Sequence, residues 1–264
     1  MLQRLKTLLT RRAAPKAQRL PAKASPRVQD AMRVYALGDV HGRADLLADM
    51  VAQMKADAKG YEGSVCFVGM GDYINRGPAS REVVELLRDL PEWWGKVFLR
   101  GNHEQAMLDF LTDSTRNEWL AWGGVATLES YGIAPYGARG LRETEVLAAE
   151  LTYVLDETGH KGFYDATVLS HCNGDYAFVH AGVRPRLALE QQLPSDLLFI
   201  RDDFMGRPHG LPQKIVFGHT IMLEVLLADD RIGLDTGAYQ RGVLSGVVLE
   251  GETVRVLMAR GGNA

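Results

Sequence analysis

Short, unbroken apolar runs recur along this chain, at Val34–Leu37, Val65–Val68, Val97–Leu99, Tyr176–Val179 and Ile215–Phe217. Continuous apolar runs of this length predict strands buried on both faces. Between the first three runs the apolar positions change to helical spacing. Leu46, Leu47, Met50, Val51 and Met54 mark one helix, and Val83, Leu86, Leu87 and Leu90 a second. Pro78 falls near the start of the second, where a missing N–H is harmless. Met107, Leu108 and Leu111 predict a third helix directly after the third strand. Repeated strand–helix–strand units predict parallel strands with helices on the sheet faces, an α/β fold.

The alternation breaks between Ser114 and His160, a stretch holding Trp119, Trp122, Gly123-Gly124 and an amphipathic helix around Leu141–Leu155. It reads as a helical insertion (about 114–160) beside the site of a single domain spanning 31–264. Beyond it the pattern turns to β. Thr167–Leu169 and Tyr176–Val179 predict a hairpin around Asn173-Gly174, and Val243–Leu249 with Thr253–Met258 a second around Gly251.

The polar residues that follow the five runs carry the chemistry. They lie in GDVHG (Gly38–Gly42), GDYINRG (Gly71–Gly77), RGNHE (Arg100–Glu104), VHAG (Val179–Gly182) and FGHT (Phe217–Thr220). In an α/β sheet the carboxyl ends of neighbouring strands lie side by side, so distant residues converge on one crevice. Oxygen and imidazole ligands gathered there suit a pair of divalent metals. Such a pair, about 3.5–4 Å apart, clamps a phosphoryl group and acidifies a bridging water. Asp72 is the natural bridge. Asp39 and His41 leave one tight turn and serve one ion, and Asn102, His180 and His219 serve the other. His103, next to Asn102, is placed to protonate a leaving oxygen. Arg76 has the planar fork that suits phosphate oxygens.

Composition narrows the class. With 264 residues, 46% hydrophobic and 24% charged, the chain can bury one sizeable core. A net charge of −3 argues against a nucleic-acid-binding surface, and no apolar run is long enough for membrane insertion. Cys66, expected buried, and Cys172, expected partly exposed, form no C-x-x-C pair, so a cytoplasmic enzyme is the default. Trp93 and Trp94 read as packing residues, His160 and His209 as surface or loop residues. His171 falls in the first hairpin without motif support. The segment 1–30 stands apart: Arg4, Lys6, Arg11, Arg12, Lys16, Arg19, Lys23 and Arg27 meet no acidic residue before Asp30. A solvated, disordered tail is expected, with an organelle transit peptide or a weak anchor to acidic lipid as alternatives, the latter using Leu2, Leu5 and Leu9.

With these blocks assembled, the chain resembles the phosphoprotein phosphatase family of calcineurin-like metallophosphoesterases, in particular its bacterial and phage members. The resemblance runs from about Arg33 to Met258 and rests on the five blocks in order, on VHAGVRP followed by LLFIRDDF, and on LDTGA at Leu234–Ala238. It implies two packed mixed sheets flanked by helices in place of one open sheet. It also implies Arg201 as a second phosphate-binding arginine, and Mn2+ as the usual metal with Fe or Zn as alternatives. The implied activity is a serine/threonine phosphomonoesterase working by in-line attack of a hydroxide that bridges the two metals. Its partners would be phosphorylated proteins or small phosphoesters. One position departs from the family pattern: Asn75 stands where an aspartate usually hydrogen-bonds the acid histidine. An amide carries no charge, so His103 is expected to be less basic than in the parent pattern, with slower turnover of poor leaving groups. A diadenosine tetraphosphate hydrolase, which expels a better leaving group, is the alternative reading, and a non-catalytic adaptor a third. Oligomeric state is left open.

Overall fold

The computed structural model describes residues 25–262. The first strand, β1 (Met32–Leu37), leads into α1 (Ala44–Ala58), β2 (Ser64–Gly69), α2 (Ser80–Arg88), β3 (Gly95–Phe98) and α3 (Asn102–Thr112). The insertion follows as a π-turn (Leu120–Gly124), α4 (Val125–Ser130), a short ribbon of β4 (Tyr136–Gly137) and β5 (Gly140–Leu141), α5 (Thr144–Glu157) and α6 (His160–Asp165). The chain then forms β6 (Ser170–Asn173), β7 (Tyr176–Val179), β8 (Lys214–Phe217), β9 (Leu226–Leu227), β10 (Arg231–Gly233), β11 (Val243–Glu250) and β12 (Thr253–Arg260), with short helices at Pro194–Phe199, Asp202–Met205 and Ala238–Arg241.

These strands build two five-stranded sheets, in orders β12-β11-β1-β2-β3 and β6-β7-β8-β10-β9. In the first sheet β1, β2 and β3 run parallel while β11 and β12 pair antiparallel on the other side of β1; the second has parallel pairs at its centre and antiparallel pairs at both edges. The open-sheet reading therefore gives way to the sandwich implied by the resemblance. Alternation along β1 explains why its run is unbroken. Val34 and Ala36 face Phe178, Val216 and Ile232 of the second sheet, while Tyr35 and Leu37 face the helical layer with Leu47, Met50 and Met54. Both faces exclude water, so neither parity can be polar. The outer face of the second sheet packs Val179, Ile215 and Phe217 on Leu197, Ile200 and Phe204.

The expected strand at Thr167–Leu169 is reduced to a single bridge. Leu99 pairs in parallel with Val168, with Val168 N–H donating to Phe98 O at 3.0 Å and Arg100 N–H to Val168 O at 2.8 Å. This stitch joins the edge of one sheet to the chain entering the other, beside the start of α3. The helix expected at Leu141–Leu155 runs Thr144–Glu157.

Three expectations change with burial. His160 and His209 are interior residues, at 2% and 0% exposure. His160 Nδ1 meets the Tyr131 hydroxyl at 2.8 Å, and His209 Nε2 donates to Asp230 O at 2.9 Å. Trp94 is buried and stacks on Tyr35, but Trp93 is exposed. The tail expected to end at residue 30 is already packed from Pro26: Val28 is buried, and its N–H donates to Gly251 O at 3.1 Å. Arg27 and Gln29 N–H donate to Asp175 and Asn173. The expected Leu2, Leu5 and Leu9 face lies outside the described residues. Cys66 is buried and Cys172 exposed. Among the described residues no helix is long and apolar enough to cross a membrane.

Deleting residues 1–30 removes Val28 from the inter-sheet core and breaks the hydrogen bonds that Arg27, Val28 and Gln29 N–H donate, together with that from Asp175 N–H to Arg27 O. The urea midpoint should fall, by an amount corresponding to about 1–3 kcal/mol. An unchanged midpoint would contradict the packed role of Pro26–Asp30.

Candidate metal centre

The strand ends deliver the sequence-predicted residues to one crevice. β1 and β2 are in register to Leu37↔Gly69, so the loops carrying Asp39 and Asp72 leave the sheet together. Val40 and His41 N–H both donate to Asp72 O, at 3.1 and 2.9 Å. β7 ends one residue before His180 and β8 two before His219. The loops are tightly wound: His41, Asp72, Asn75, Arg76 and His219 all adopt positive φ, at 47°, 51°, 72°, 71° and 61°. That region costs non-glycine residues free energy, of order 1 kcal/mol or more each, and is kept where the surroundings impose it.

Asp72 sits at the middle. Its Oδ2 lies 3.5 Å from His41 Nε2 and 3.8 Å from His103 Nε2, and its Oδ1 lies 3.5 Å from His180 Nε2. Two groups of donor atoms result, His41–Asp72–His103 and Asp72–His180–His219, each with its atoms within 4.8 Å of one another. Asp72 is common to both. Asn102 reaches the second group through Oδ1, 3.0 Å from His180 Nε2. Asp39 is buried as well: Oδ2 accepts from His219 N–H at 3.0 Å, while Oδ1 has no hydrogen-bond partner.

Hydrogen bonds fix which ring nitrogens face inward. His41 Nδ1 donates to Ile74 O and His180 Nδ1 to Met70 O, both at 2.8 Å. Each Nε2 lone pair is thereby turned into the crevice, the arrangement usual for metal-binding imidazoles. Burial pushes His41 down to about 3 in spite of Asp72, and burial with His180 does the same to His219. Both are neutral bases at pH 7. Burial also drives Asp39 well up, aided by Asp235 and Asp72. Asp72 feels the same burial, but the surrounding imidazoles of His180, His103 and His41 outweigh it and hold its carboxyl below the usual range.

Buried Asp39 and Asp72 face the neutral imidazoles of His41 and His219, and with Asp39 Oδ1 and His219 Nε2 unpartnered the environment is short of positive charge. Divalent cations would supply that charge and give Asp39 Oδ1 and His219 Nε2 a partner. The residues present therefore fit a two-metal centre of oxygen and nitrogen ligands.

Two buried acids without an assigned role lie beside the centre. Glu104, in the first turn of α3, is fully buried and accepts from four backbone N–H groups: Asp72 and Tyr73 at 2.8 Å, Gly101 at 2.9 Å and Ile74 at 3.3 Å. Burial and Asp72 push it up to about 8, and these N–H groups pull the other way. Asp235, from the LDTGA block, accepts from Gly237 N–H at 2.9 Å, and burial raises it to about 6. A Cβ on Gly101 would collide with Asp72 Oδ1, and one on Gly218 with Asp39 Oδ1. Glycine at these two positions is thus required by close approach rather than by flexibility.

The remaining predicted residues ring the crevice. Arg76 is exposed, with Nη1 2.9 Å from His41 Nε2 and its guanidinium 4.7 Å above the Tyr239 ring. Arg201, also exposed, caps the helix Asp202–Met205 and lies close enough to lower both His219 and Asp235. Asn75 is fully buried, with Nδ2 2.7 Å from His103 Nδ1. Its Oδ1 accepts from the Thr127 hydroxyl at 2.8 Å, and its N–H donates to Thr127 and Ser80. The insertion thus supplies part of the site through Thr127. His171 is not part of the centre: it lies on β6 against Phe178.

Residues 32–238 match the family model described as Calcineurin-like phosphoesterase. Serine/threonine-protein phosphatase 2 of Escherichia coli K12 is 27% identical over 221 residues, 80% of this chain and 90% of that protein. The asymmetrical bis(5'-nucleosyl)-tetraphosphatase PrpE of a Geobacillus species is 24% identical over 243 residues, 81% of this chain and 89% of that protein. A protein serine/threonine phosphatase structure from Saccharomyces cerevisiae superposes with a TM-score of 0.56 at 15% identity, covering 91% of this chain and 85% of that one. The last likeness concerns the fold.

Glu104→Gln replaces an acceptor that holds the Asp72 loop at positive φ. Manganese affinity, measured by titration calorimetry, should fall by about 10–100-fold, the usual cost of losing an outer-shell partner. Unaltered affinity would mean that the loop holds itself.

Proposed function

Because the chain belongs to the calcineurin-like phosphoesterase family, we propose that it is a binuclear-metal phosphomonoesterase acting on serine and threonine phosphoproteins. The observation that carries this reading is the sharing of Asp72 between two imidazole groups. Asp39 and His41 with Asp72 would hold one divalent ion, and Asn102, His180 and His219 with Asp72 the other, with manganese the first metal to test. Two such ions supply Lewis-acid polarisation of a phosphoryl oxygen and a water acidified to near neutrality.

The chain's own residues do the rest. Arg76 and Arg201 bind the phosphate oxygens; both are exposed cations beside an otherwise acidic, buried centre. His103 faces the crevice through Nε2 while Nδ1 is engaged by Asn75. With Asn75 Oδ1 taking the Thr127 proton, its amide N–H points at His103 Nδ1 and leaves the imidazole proton on Nε2. That proton can hydrogen-bond the departing oxygen. Burial lowers His103, and an N–H donor at Nδ1 further disfavours the imidazolium. Help for a poor leaving group is therefore weak, and His103 assists chiefly as a hydrogen-bond donor.

Similarity to the Escherichia coli serine/threonine phosphatase over 80% of this chain, at 27% identity, is consistent with the protein substrate. Asn75 favours the second reading, hydrolysis of dinucleoside tetraphosphates, because an anhydride expels a stabler anion and needs less protonation. The similarity to a tetraphosphatase over 81% of this chain is consistent with it.

Chelated protein restored with manganese should release phosphate from a phosphoserine peptide faster than nucleotide from diadenosine tetraphosphate offered in parallel. The reverse order would move the chain to the dinucleotide reading, and silence on both would revive the adaptor. Asn75→Asp should raise kcat on the serine ester about tenfold or more, and less on an activated aryl ester. The carboxylate favours the imidazolium, so His103 stays protonated to higher pH and the alkaline limb of the rate profile should move up. An unchanged rate and profile would remove His103 from the acid role.

A further inference from the structure

Arg201 stands at an elbow between two very short helices. Pro194–Phe199 has 6 residues and Asp202–Met205 has 4, and Ile200 and Arg201 join them. Neither helix is long enough to hold itself together in water. The exposed Arg201 guanidinium makes no ion pair or hydrogen bond among the described residues, so its place is set by the backbone that carries it. What fixes that backbone fixes the cation.

Apolar packing holds the elbow down on the sheet. Ile200 and Phe204 are buried on its outer face with Val179 and Phe217. A Cβ on Gly182 would strike the Phe204 ring, so the glycine of the VHAG block lets the second helix settle. Ala181 N–H also donates to Leu197 O at 2.8 Å. Burial of this kind is non-directional and does not by itself decide where the elbow points.

A charge clamp supplies the direction. Arg184 meets Asp196 of the first helix with two nitrogens of its fork, Nε to Oδ2 at 2.8 Å and Nη2 to Oδ1 at 2.6 Å. Its remaining nitrogen, Nη1, lies 3.7 Å from Asp203 Oδ2 in the second helix. Asp203 accepts from Arg207 as well, at 3.0 Å. Asp196 is only 6% exposed, and a carboxylate so buried needs a partner. The base of Arg184 is held in turn: its N–H donates to Gln192 Oε1 at 2.7 Å, and its carbonyl accepts from Gln192 Nε2 at 3.0 Å. One guanidinium thus spans both sides of the elbow, from backbone that closely follows His180.

We propose that Arg184 is a positioning residue for the substrate phosphate. By gripping Asp196 and Asp203 it fixes the Arg201 elbow relative to His180, and so sets how far the phosphate-binding cation stands from the metal centre. The inference rests on the phosphomonoesterase reading above, in which Arg201 binds a phosphate oxygen. Arg184 acts through Arg201, its own nitrogens being engaged by the two carboxylates. A lysine would keep the charge and lose the clamp, because an ammonium has no planar fork to span two partners.

The test uses the full chain with manganese, reading KM and kcat on a phosphoserine peptide and competitive inhibition by inorganic phosphate. R201A should raise KM and the phosphate inhibition constant. R184M should raise both about 3–10-fold with a smaller change in kcat, and should add less than about twofold in the R201A background. R184K should follow R184M. D203N breaks the far side of the clamp at an exposed position, where folding is not at stake, and should reproduce part of the loss. Three results would overturn the inference and leave the underlying reading intact. Losses that simply multiply in the double variant would make Arg184 a folding residue. Full rescue by R184K would make it a diffuse charge, and a D203N enzyme identical to wild type would remove the clamp. An R201A enzyme with unchanged KM and phosphate inhibition would overturn the phosphate role of Arg201 and the inference with it. A wild type that releases no phosphate from the peptide overturns the reading itself and the inference that rests on it.

Discussion

One buried carboxylate is approached by imidazoles at both oxygens, and the geometry of the crevice follows from keeping it there. Asp72 has His41 and His103 on one oxygen and His180 on the other. Its backbone sits at φ 51°, a conformation an aspartate adopts at a cost. Glu104 offsets that cost by gathering the N–H groups of Asp72, Tyr73 and Ile74, and reaches them from the first turn of α3 because Gly101 N–H holds it too. Gly101 then has to be glycine, since any side chain would strike Asp72. The RGNHE block is therefore one mechanical unit, in which the glycine gives clearance, the glutamate holds the loop, and Asn102 and His103 face the crevice.

The sandwich supplies the other half of the constraint. β1, β2 and β3 belong to one sheet, β7 and β8 to the other. Donors from two sheets meet only if the sheets are locked together at that end. The Leu99–Val168 bridge makes that junction, and the inter-sheet core around Phe178, Val216 and Ile232 sits directly beneath. Water excluded by that packing leaves His41 and His219 neutral and Asp39 Oδ1 unpartnered. The core thus sets the chemistry by removing solvent from donors that a metal can satisfy.

Much of this was legible in the residues. The five apolar runs are strands, and the ligands that follow them converge, because a strand buried on both faces tolerates no polar residue until it leaves the sheet. The same fact hid the second sheet, since a run such as Ile215–Phe217 looks alike in one sheet or two. Glu104 was in view within RGNHE, but a side chain whose work is to bind backbone N–H groups leaves no spacing pattern. Asp235 could be seen only as part of the LDTGA block. His160 and His209 lacked motif support and looked superficial. Their burial depends on the Tyr131 hydroxyl and the Asp230 carbonyl, partners that no local pattern announces.

Metal stoichiometry in Asp72→Asn tests the shared carboxylate most directly. Manganese bound per chain can be counted by calorimetry and by elemental analysis after gel filtration, with wild type alongside. Sharing of Asp72 by both donor groups predicts two ions in wild type and loss of both high-affinity sites together in the variant. A variant that keeps one tight site while losing the other would mean that Asp72 serves a single ion, and would contradict the account.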